Sequence, residues 1–363
     1  MTETNERDIA AADVDVLVIG GGAAGLSAAL TLARARRSVL VVDSGEPRNA
    51  PADGIHGFLS REGLAPRELL RIGREEIEGY GGRIVSDLVT GVRRAGERFV
   101  VETAGGRSQG ARRLLVTTGL VDELPDVPGV RERWGRDVLH CPYCHGWEVR
   151  DEPIGVLATG PMATHQALLF RQWSAEVTLF LHTAPELTEE QWEELAARGI
   201  AVVDGEVTGL DAEDDRLSGV RLASGRSVPV RALAVAPRFQ ARGSVLAELG
   251  LTSVDHPRGV GSHVESDATG FTGVAGVWAA GNVTDLVAGV MVSAAGGTTA
   301  AMAINADLVA ADTAAAVSAR RAPDVFGPAA GAANCQRVLG ERRHGIESVL
   351  AAGKTLHGET GRR

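Results

Sequence analysis

Cysteine is scarce. The 363 residues hold three, two of them in one C-x-x-C (Cys141 and Cys144) and the third, Cys335, far away and alone. So few thiols exclude the disulfide framework of a small secreted scaffold. A second Cys/His pair at structural-zinc spacing is also missing. With His140 and His145, the C-x-x-C makes at most a zinc half-site, the alternative to a redox pair, and no metal is expected. No cluster of Lys and Arg suits nucleic acid, and the net charge of −10 reads as solubility. Residues Met1 to Asp13 are polar and acidic and lack the apolar core of a secretory signal, so the expected compartment is the cytoplasm. Ala288 to Ala306 carries no charge, but Ser293, Thr298, Thr299 and Asn305 interrupt it. A buried helix of a soluble domain is expected there rather than a membrane span.

What is present suits a globular chain of about two domains, 44% hydrophobic and 23% charged. Its chemistry centres on Cys141-Pro142-Tyr143-Cys144-His145-Gly146-Trp147-Glu148. Two cysteines at i, i+3 can close one reducible disulfide. His145 follows directly and can carry a proton beside the sulfurs near neutral pH.

The first part of the chain reads as a nucleotide cradle. An apolar run, Val14 to Ile19, leads into Gly20-Gly21-Gly22-Ala23-Ala24-Gly25 and an Ala/Leu-rich helix to about Arg36. A second apolar run, Ser38 to Val42, ends in Asp43. This is the G-x-G-x-x-G fingerprint in its β-turn-α-β setting. Gly20 allows the tight turn, Gly22 lets a pyrophosphate approach the backbone, and Gly25 lets helix and strand pack closely. Asp43 is placed to bind a ribose hydroxyl. His56, in the loop Gly54 to Leu59, either contacts a cofactor or ends a turn. A helix is expected from Pro66 to Tyr80, and strands at Arg83–Val89, Phe99–Thr103 and Leu114–Thr117. The last runs into Thr118-Gly119, where small residues let the chain pass close to a cofactor.

The pattern then returns in weaker form. Ile154 to Leu157 reads as a strand, followed by Ala158-Thr159-Gly160-Pro161-Met162-Ala163, a helix, and a strand from Val177 to Leu181. Alanine stands at the first and third glycine positions. No acid ends the second strand, and His182-Thr183-Ala184 supplies no arginine for a 2′-phosphate. Residues 83–119 and 199–237 echo one another, which points to two related domains, the second inserted in the first. A last strand and small-residue turn, Gly276 to Asp285, complete the first domain, with a helix from near Ser293. Beyond about Val317 the pattern weakens, apart from a short helix expected at Glu341–Ala351.

Taken together, Gly20 to Gly25, Asp43, the Thr-Thr-Gly ending at Gly119, a C-x-x-C inside the second domain, and Ala279-Ala280-Gly281-Asn282-Val283-Thr284-Asp285 resemble the low-molecular-weight thioredoxin reductase family of flavoproteins. The likeness covers about residues 14–316. It implies an α/β fold of two Rossmann-like FAD/NAD(P)-binding domains. FAD binding would occupy 14–122 and 243–316, with the redox C-x-x-C in an inserted NAD(P)-like domain at 123–242. Residues 1–13 would be a disordered start and 317–363 an extension. The resemblance places Gly20, Gly22, Ala23 and Gly25 at the FAD pyrophosphate and Asp43 at the adenosine ribose. Asn49 falls near the isoalloxazine, the Val89 backbone near the adenine, Asn282 after Gly281 at the ribityl-phosphate, and Met291 at the ring edge. It also implies a homodimer.

Three departures narrow the resemblance. His145 stands where the reductases place an acid/base aspartate, Asn282 replaces the aspartate of their late G-D motif, and the nicotinamide glycines and paired arginines are eroded. With Cys-Pro-Tyr-Cys-His-Gly-Trp-Glu, these are most similar to the branch containing the gliotoxin and holomycin dithiol oxidases. That branch implies oxidation of a small-molecule dithiol to its disulfide, with electrons passing through FAD to oxygen. Cys141 would then be the substrate-side sulfur, Cys144 the flavin-side sulfur and His145 the acid/base. Two alternatives stand beside it. One is a reductase of a thioredoxin-like protein fed by NADPH or another donor, NADPH being the doubtful one. The other is a flavin-bound redox sensor or partner-binding protein without turnover.

Overall fold

A computed structural model of the chain describes residues 13–321. Residues 1–12 of the start expected to be disordered, Cys335 and the helix expected at Glu341–Ala351 lie outside the described residues.

Valine, leucine and isoleucine fill Val14–Ile19 and Val39–Asp43, and such continuous apolar runs suit strands buried on both faces. They pair in parallel, Val16 opposite Val39, inside a seven-stranded sheet. Its order is Arg83–Ser86, Val39–Asp43, Val14–Ile19, Ser108–Val116, Arg98–Thr103 and Val89–Ala95, and Val277–Ala279 pairs in parallel with the C-terminal half of Ser108–Val116. Helix Ala23–Arg34 packs Leu26, Ala28, Ala29, Leu32 and Ala33 inward. Burial of Leu32 alone contributes about 1.5–3 kcal/mol.

The segment expected as one strand at Arg83–Val89 is two. The Asp87 carboxylate accepts from the Leu88 and Gly105 N–H groups and from the Thr103 hydroxyl, and so turns the chain after Ser86. The strand expected from Leu114 begins at Ser108, because its hairpin partner Arg98–Thr103 extends the pairing, Phe99 opposite Ala111.

The chain leaves this sheet at Val116 and passes through the short strand Leu120–Glu123. It then builds a parallel five-stranded sheet ordered Ala201–Val203, Val177–Phe180, Ile154–Leu157, Ala232–Ala234 and Val138–Leu139. A three-stranded antiparallel sheet, Val207–Glu213, Arg216–Leu222 and Ser227–Pro229, accompanies it. The return strand Arg238–Ala241 runs antiparallel to Leu120–Glu123, with Phe239 opposite Asp122. Only then does the chain supply Val277–Ala279 to the first sheet. The fold is the expected α/β one: two Rossmann-like sheets, the second built within the chain of the first.

Two compact units divide the chain after Asn305, and the second is described only as the last turns of helix Val290–Arg321. This helix starts three residues before the expected Ser293 and continues past Val317. It is long and apolar enough to cross a membrane. The expectation of a buried helix needs correction. Ala300, Ala301 and Ile304 are fully buried, whereas Met291, Val292 and Met302 are exposed. The small residues explain the inner face: a Cβ on Gly297 would sit 2.0 Å from the Ala24 carbonyl oxygen, so glycine lets the helix meet helix Ala23–Arg34 backbone to backbone.

Candidate active site

Cys141 and Cys144 are joined as a disulfide, with their Cα atoms 5.3 Å apart. Cys141 is extended and precedes the one-turn helix Pro142–His145, with proline in the first turn where its missing N–H costs nothing. The Cys141 carbonyl accepts from the Cys144 and His145 N–H groups, at 3.2 and 3.1 Å, so one turn fixes both sulfurs and the imidazole. Gly146 lets Trp173 pack against this turn, since a Cβ there would lie 2.9 Å from the indole. Trp173 in turn meets Tyr143 edge-on at 5.6 Å. Tyr143 and Trp147 are exposed beside the disulfide. A cavity of about 440 Å³ opens under Tyr143, lined also by Leu168, Leu169, Gln172, Trp173 and Arg198.

His145 is half-buried, and its Nε2 is enclosed without a hydrogen-bond partner among the described residues. Burial holds its imidazole below the ordinary 6.5; the Glu148 carboxylate opposes this, His56 adds to it and Asp53 opposes it. His145 is therefore neutral at pH 7 and able to accept a thiol proton. His140 is differently engaged. Its Nδ1 lies 3.0 Å from the Val235 carbonyl, its own carbonyl accepts from Gln166, and its ring meets Phe239 edge-on.

His56 is 6.4 Å from His145, ring centre to ring centre and edge-on. Its Nδ1 is 2.6 Å from a Glu62 carboxylate oxygen and its Nε2 is 3.6 Å from Glu148. The structure thus joins a residue expected either at a cofactor or at a turn to the redox turn.

The first fingerprint forms a cradle. Gly20 has φ of +104°, and a Cβ on Gly25 would lie 2.0 Å from the Gly20 carbonyl oxygen, so both positions require glycine. Gly22, at the start of helix Ala23–Arg34, has free space where its Cβ would point. A pyrophosphate fits that space, on the backbone N–H groups of a helix start. Asp43 receives the Gly21 N–H at 2.9 Å and pairs with Arg74. Its two oxygens retain lone pairs for a ribose hydroxyl. Val89 opens the strand Val89–Ala95, and Met291 is the second residue of the long helix, half exposed. Gly119 and Gly281 both take positive φ, +69° and +79°, at the chain turns after Val116 and Ala279. Asn49 lies in the turn Pro47–Ala52, its carbonyl accepting from the Ala52 N–H.

Sequence reasoning misses Arg48. Its guanidinium binds both Asp122 carboxylate oxygens, at 2.8 and 2.7 Å, donates to the Asn282 side-chain oxygen at 3.3 Å and stacks over Phe239. The Asn282 amide nitrogen donates to the Asp285 and Ala288 carbonyls. An asparagine can do both, accepting from Arg48 and donating to the turn, where an aspartate could only accept. No sequence signal marks these partners, which are 74 and 234 residues from Arg48. The second fingerprint is a strand, turn and helix as expected, but Thr159 spends its hydroxyl on Ala236 and His182 accepts the Val207 N–H.

Comparison with known proteins agrees with this geometry. Residues 14–306 match the pyridine nucleotide-disulphide oxidoreductase family. The thioredoxin reductase tcpT of Claviceps purpurea is 38% identical over 186 residues, 49% of this chain, and the match spans 58% of tcpT. The thioredoxin reductase sirT of Leptosphaeria maculans is 30% identical over 83% of this chain and 96% of its own. The crystal structure of HlmI is 51% identical, with a TM-score of 0.80 over 85% of this chain and 96% of HlmI. The cradle at Gly20–Gly25, the paired sheets and the disulfide turn thus place this chain in the pyridine nucleotide-disulphide oxidoreductase family, as an oxidoreductase of the thioredoxin reductase type with a redox-active cysteine pair.

Proposed function

We propose that the protein oxidises a small-molecule dithiol to its intramolecular disulfide through Cys141 and Cys144, with FAD as the bound acceptor and oxygen as the final one. The observation that carries this reading is the Cys141–Cys144 disulfide with the half-buried His145 directly after it, the arrangement that resembles the dithiol oxidase branch; the chain is 51% identical to HlmI across 96% of HlmI's length. In the exchange, a substrate thiol gives its proton to His145 and attacks Cys141. The second substrate thiol then resolves the mixed disulfide, leaving both cysteines reduced. Gly20, Gly22, Ala23 and Gly25 would hold the FAD pyrophosphate and Asp43 its ribose. The flavin would supply the two-electron acceptor.

Gly22→Val tests the cradle. Its backbone is extended, φ −78° and ψ −172°, a conformation valine accepts, so the chain should fold. The new side chain fills the space beside the helix start. At about 1–3 kcal/mol for such overpacking, FAD affinity should fall ~10–100-fold. Flavin absorbance per protein and heat-released cofactor read this directly; full FAD occupancy in the variant would remove the cradle from the FAD site.

The curated relatives tcpT and sirT are named thioredoxin reductases, which favours the second reading, a disulfide reductase fed by a nicotinamide. The second turn argues against NADPH as donor. Pro161 removes one N–H from the anion cradle and no arginine follows Val177–Phe180. At about 1.5–3 kcal/mol per lost charged hydrogen bond, NADPH should bind ~10–100-fold more weakly than in a working site. In anaerobic stopped-flow, small dithiols should bleach the flavin and air should restore it with peroxide. Rapid bleaching by micromolar NADPH would favour the reductase.

A further inference from the structure

His145 is half-buried, and among the described residues its Nε2 meets no partner. An acid/base group in that position needs something to fix its ring and an exit for its proton. The neighbouring ring is His56, edge-on with its centre 6.4 Å from that of His145. His56 is itself held. Glu62 meets its Nδ1 at 2.6 Å, and the Gly57 N–H donates to the other Glu62 oxygen at 2.9 Å. The His56 and Gly57 contacts keep the Glu62 carboxyl below the usual carboxylate range, so at neutral pH it only accepts. The Nδ1 of His56 therefore carries the hydrogen, and Nε2 points to Glu148 on the redox turn at 3.6 Å. The loop is anchored by buried Ile55, whose N–H and carbonyl bond Leu64 and Gly63. The exposure of side chains rises outward, from 21% at His56 to 65% at Glu62.

We infer that His56, oriented by Glu62, is the positioning residue of His145 and the route by which its proton reaches solvent; this rests on the dithiol-oxidation reading above. The exchange needs such a route. A substrate dithiol surrenders two protons and two electrons as its own S–S bond forms and the Cys141–Cys144 bond breaks. One proton can return to the substrate-side cysteine. If the flavin-side cysteine stays a thiolate, the other must leave, and one imidazole cannot hold it through the next turnover. His56 receives it, and solvent at Glu62 and Glu148 takes it away. The charged and titratable groups around the pair are Asp53, Glu62 and Glu148.

The test uses the flavin-loaded full chain as wild type, His56→Phe and Glu62→Gln. Ring ¹⁵N shifts of His145 report its tautomer and titration, and stopped-flow with dithiothreitol across pH reports the exchange. Both variants should move the His145 shifts. His56→Phe should slow the exchange ~10–100-fold, the range that outer partners contribute to metal-binding histidines, and added imidazole should restore part of the rate. Glu62→Gln, at an exposed site, should act in the same direction and more weakly, with FAD content and melting transition unchanged. Unaltered His145 shifts with an unaltered acid limb in both variants would overturn the inference and leave a loop-pinning ion pair. If wild type does not react with dithiols, the dithiol-oxidation reading fails, and the His145 shifts decide the inference by themselves.

Discussion

Replacement of either cysteine by serine should end dithiol oxidation, with turnover falling roughly 10⁴–10⁶-fold, the scale on which loss of a covalent nucleophile acts. The reason is stoichiometric. In the proposed oxidation, electrons leave the substrate only as its sulfurs exchange with the Cys141–Cys144 bond, and serine cannot form that bond. The two variants should differ in a second measurement. With the flavin-side sulfur removed, Cys144→Ser retains the substrate-side thiol, so a small aryl disulfide should add one aryl-thiol group to Cys141, seen by intact mass. Cys141→Ser should take up the same group far more slowly. Both cysteines are half-buried and the spacing is symmetric, so geometry does not order them; the order follows from the family resemblance. Preferential labelling of Cys144 would reverse the assignment, and retained turnover in either variant would remove the pair from the reaction.

Local chemistry makes much of this site legible in the sequence. Gly20 and Gly25 announce the cradle because a side chain fits at neither, and the structure shows why: positive φ at the turn residue Gly20, and at Gly25 in the helix a carbonyl 2.0 Å from where a Cβ would sit. The valine runs announce parallel strands because they are buried on both faces. Cys141, Cys144 and His145 lie within one C-x-x-C-H run and need only one helical turn to meet. What stays hidden depends on contacts between distant segments. Arg48 joins Asp122 and Asn282 through hydrogen bonds that leave no periodicity to read. His56 stands out in the sequence, but with two roles open, because its partners His145 and Glu148 lie on a turn that only the tertiary fold brings near. The long helix misleads for a related reason. An Ala- and Gly-rich sequence is nearly uniform around the helix, so composition alone does not tell its packed face from the exposed one at Met291, Val292 and Met302.

His145→Ala should slow the thiol-dependent step ~10²–10⁴-fold, the usual worth of general acid–base help, while FAD content stays normal. The pH profile separates a chemical role from a structural one. Burial holds the His145 pKa below 6.5, so in wild type the accepting form is already present at pH 6.5 and is lost only as pH falls further through the lowered value. The wild-type rate should therefore keep its plateau to below pH 6.5 and then drop. In His145→Ala that limb disappears. The rate should instead climb steadily toward the ordinary thiol pKa of about 8.5, where the substrate ionises unaided, and the gap to wild type should narrow above it. His140→Ala is the control. Its ring packs on Phe239 and bonds the Val235 carbonyl, so its loss should lower stability and leave the wild-type limb in place. If His140→Ala removes the limb and His145→Ala keeps it, the two histidines exchange roles. An unchanged profile in both would leave proton transfer to the thiols themselves, and the unpartnered Nε2 of His145 would then be a cost of packing rather than a device of catalysis.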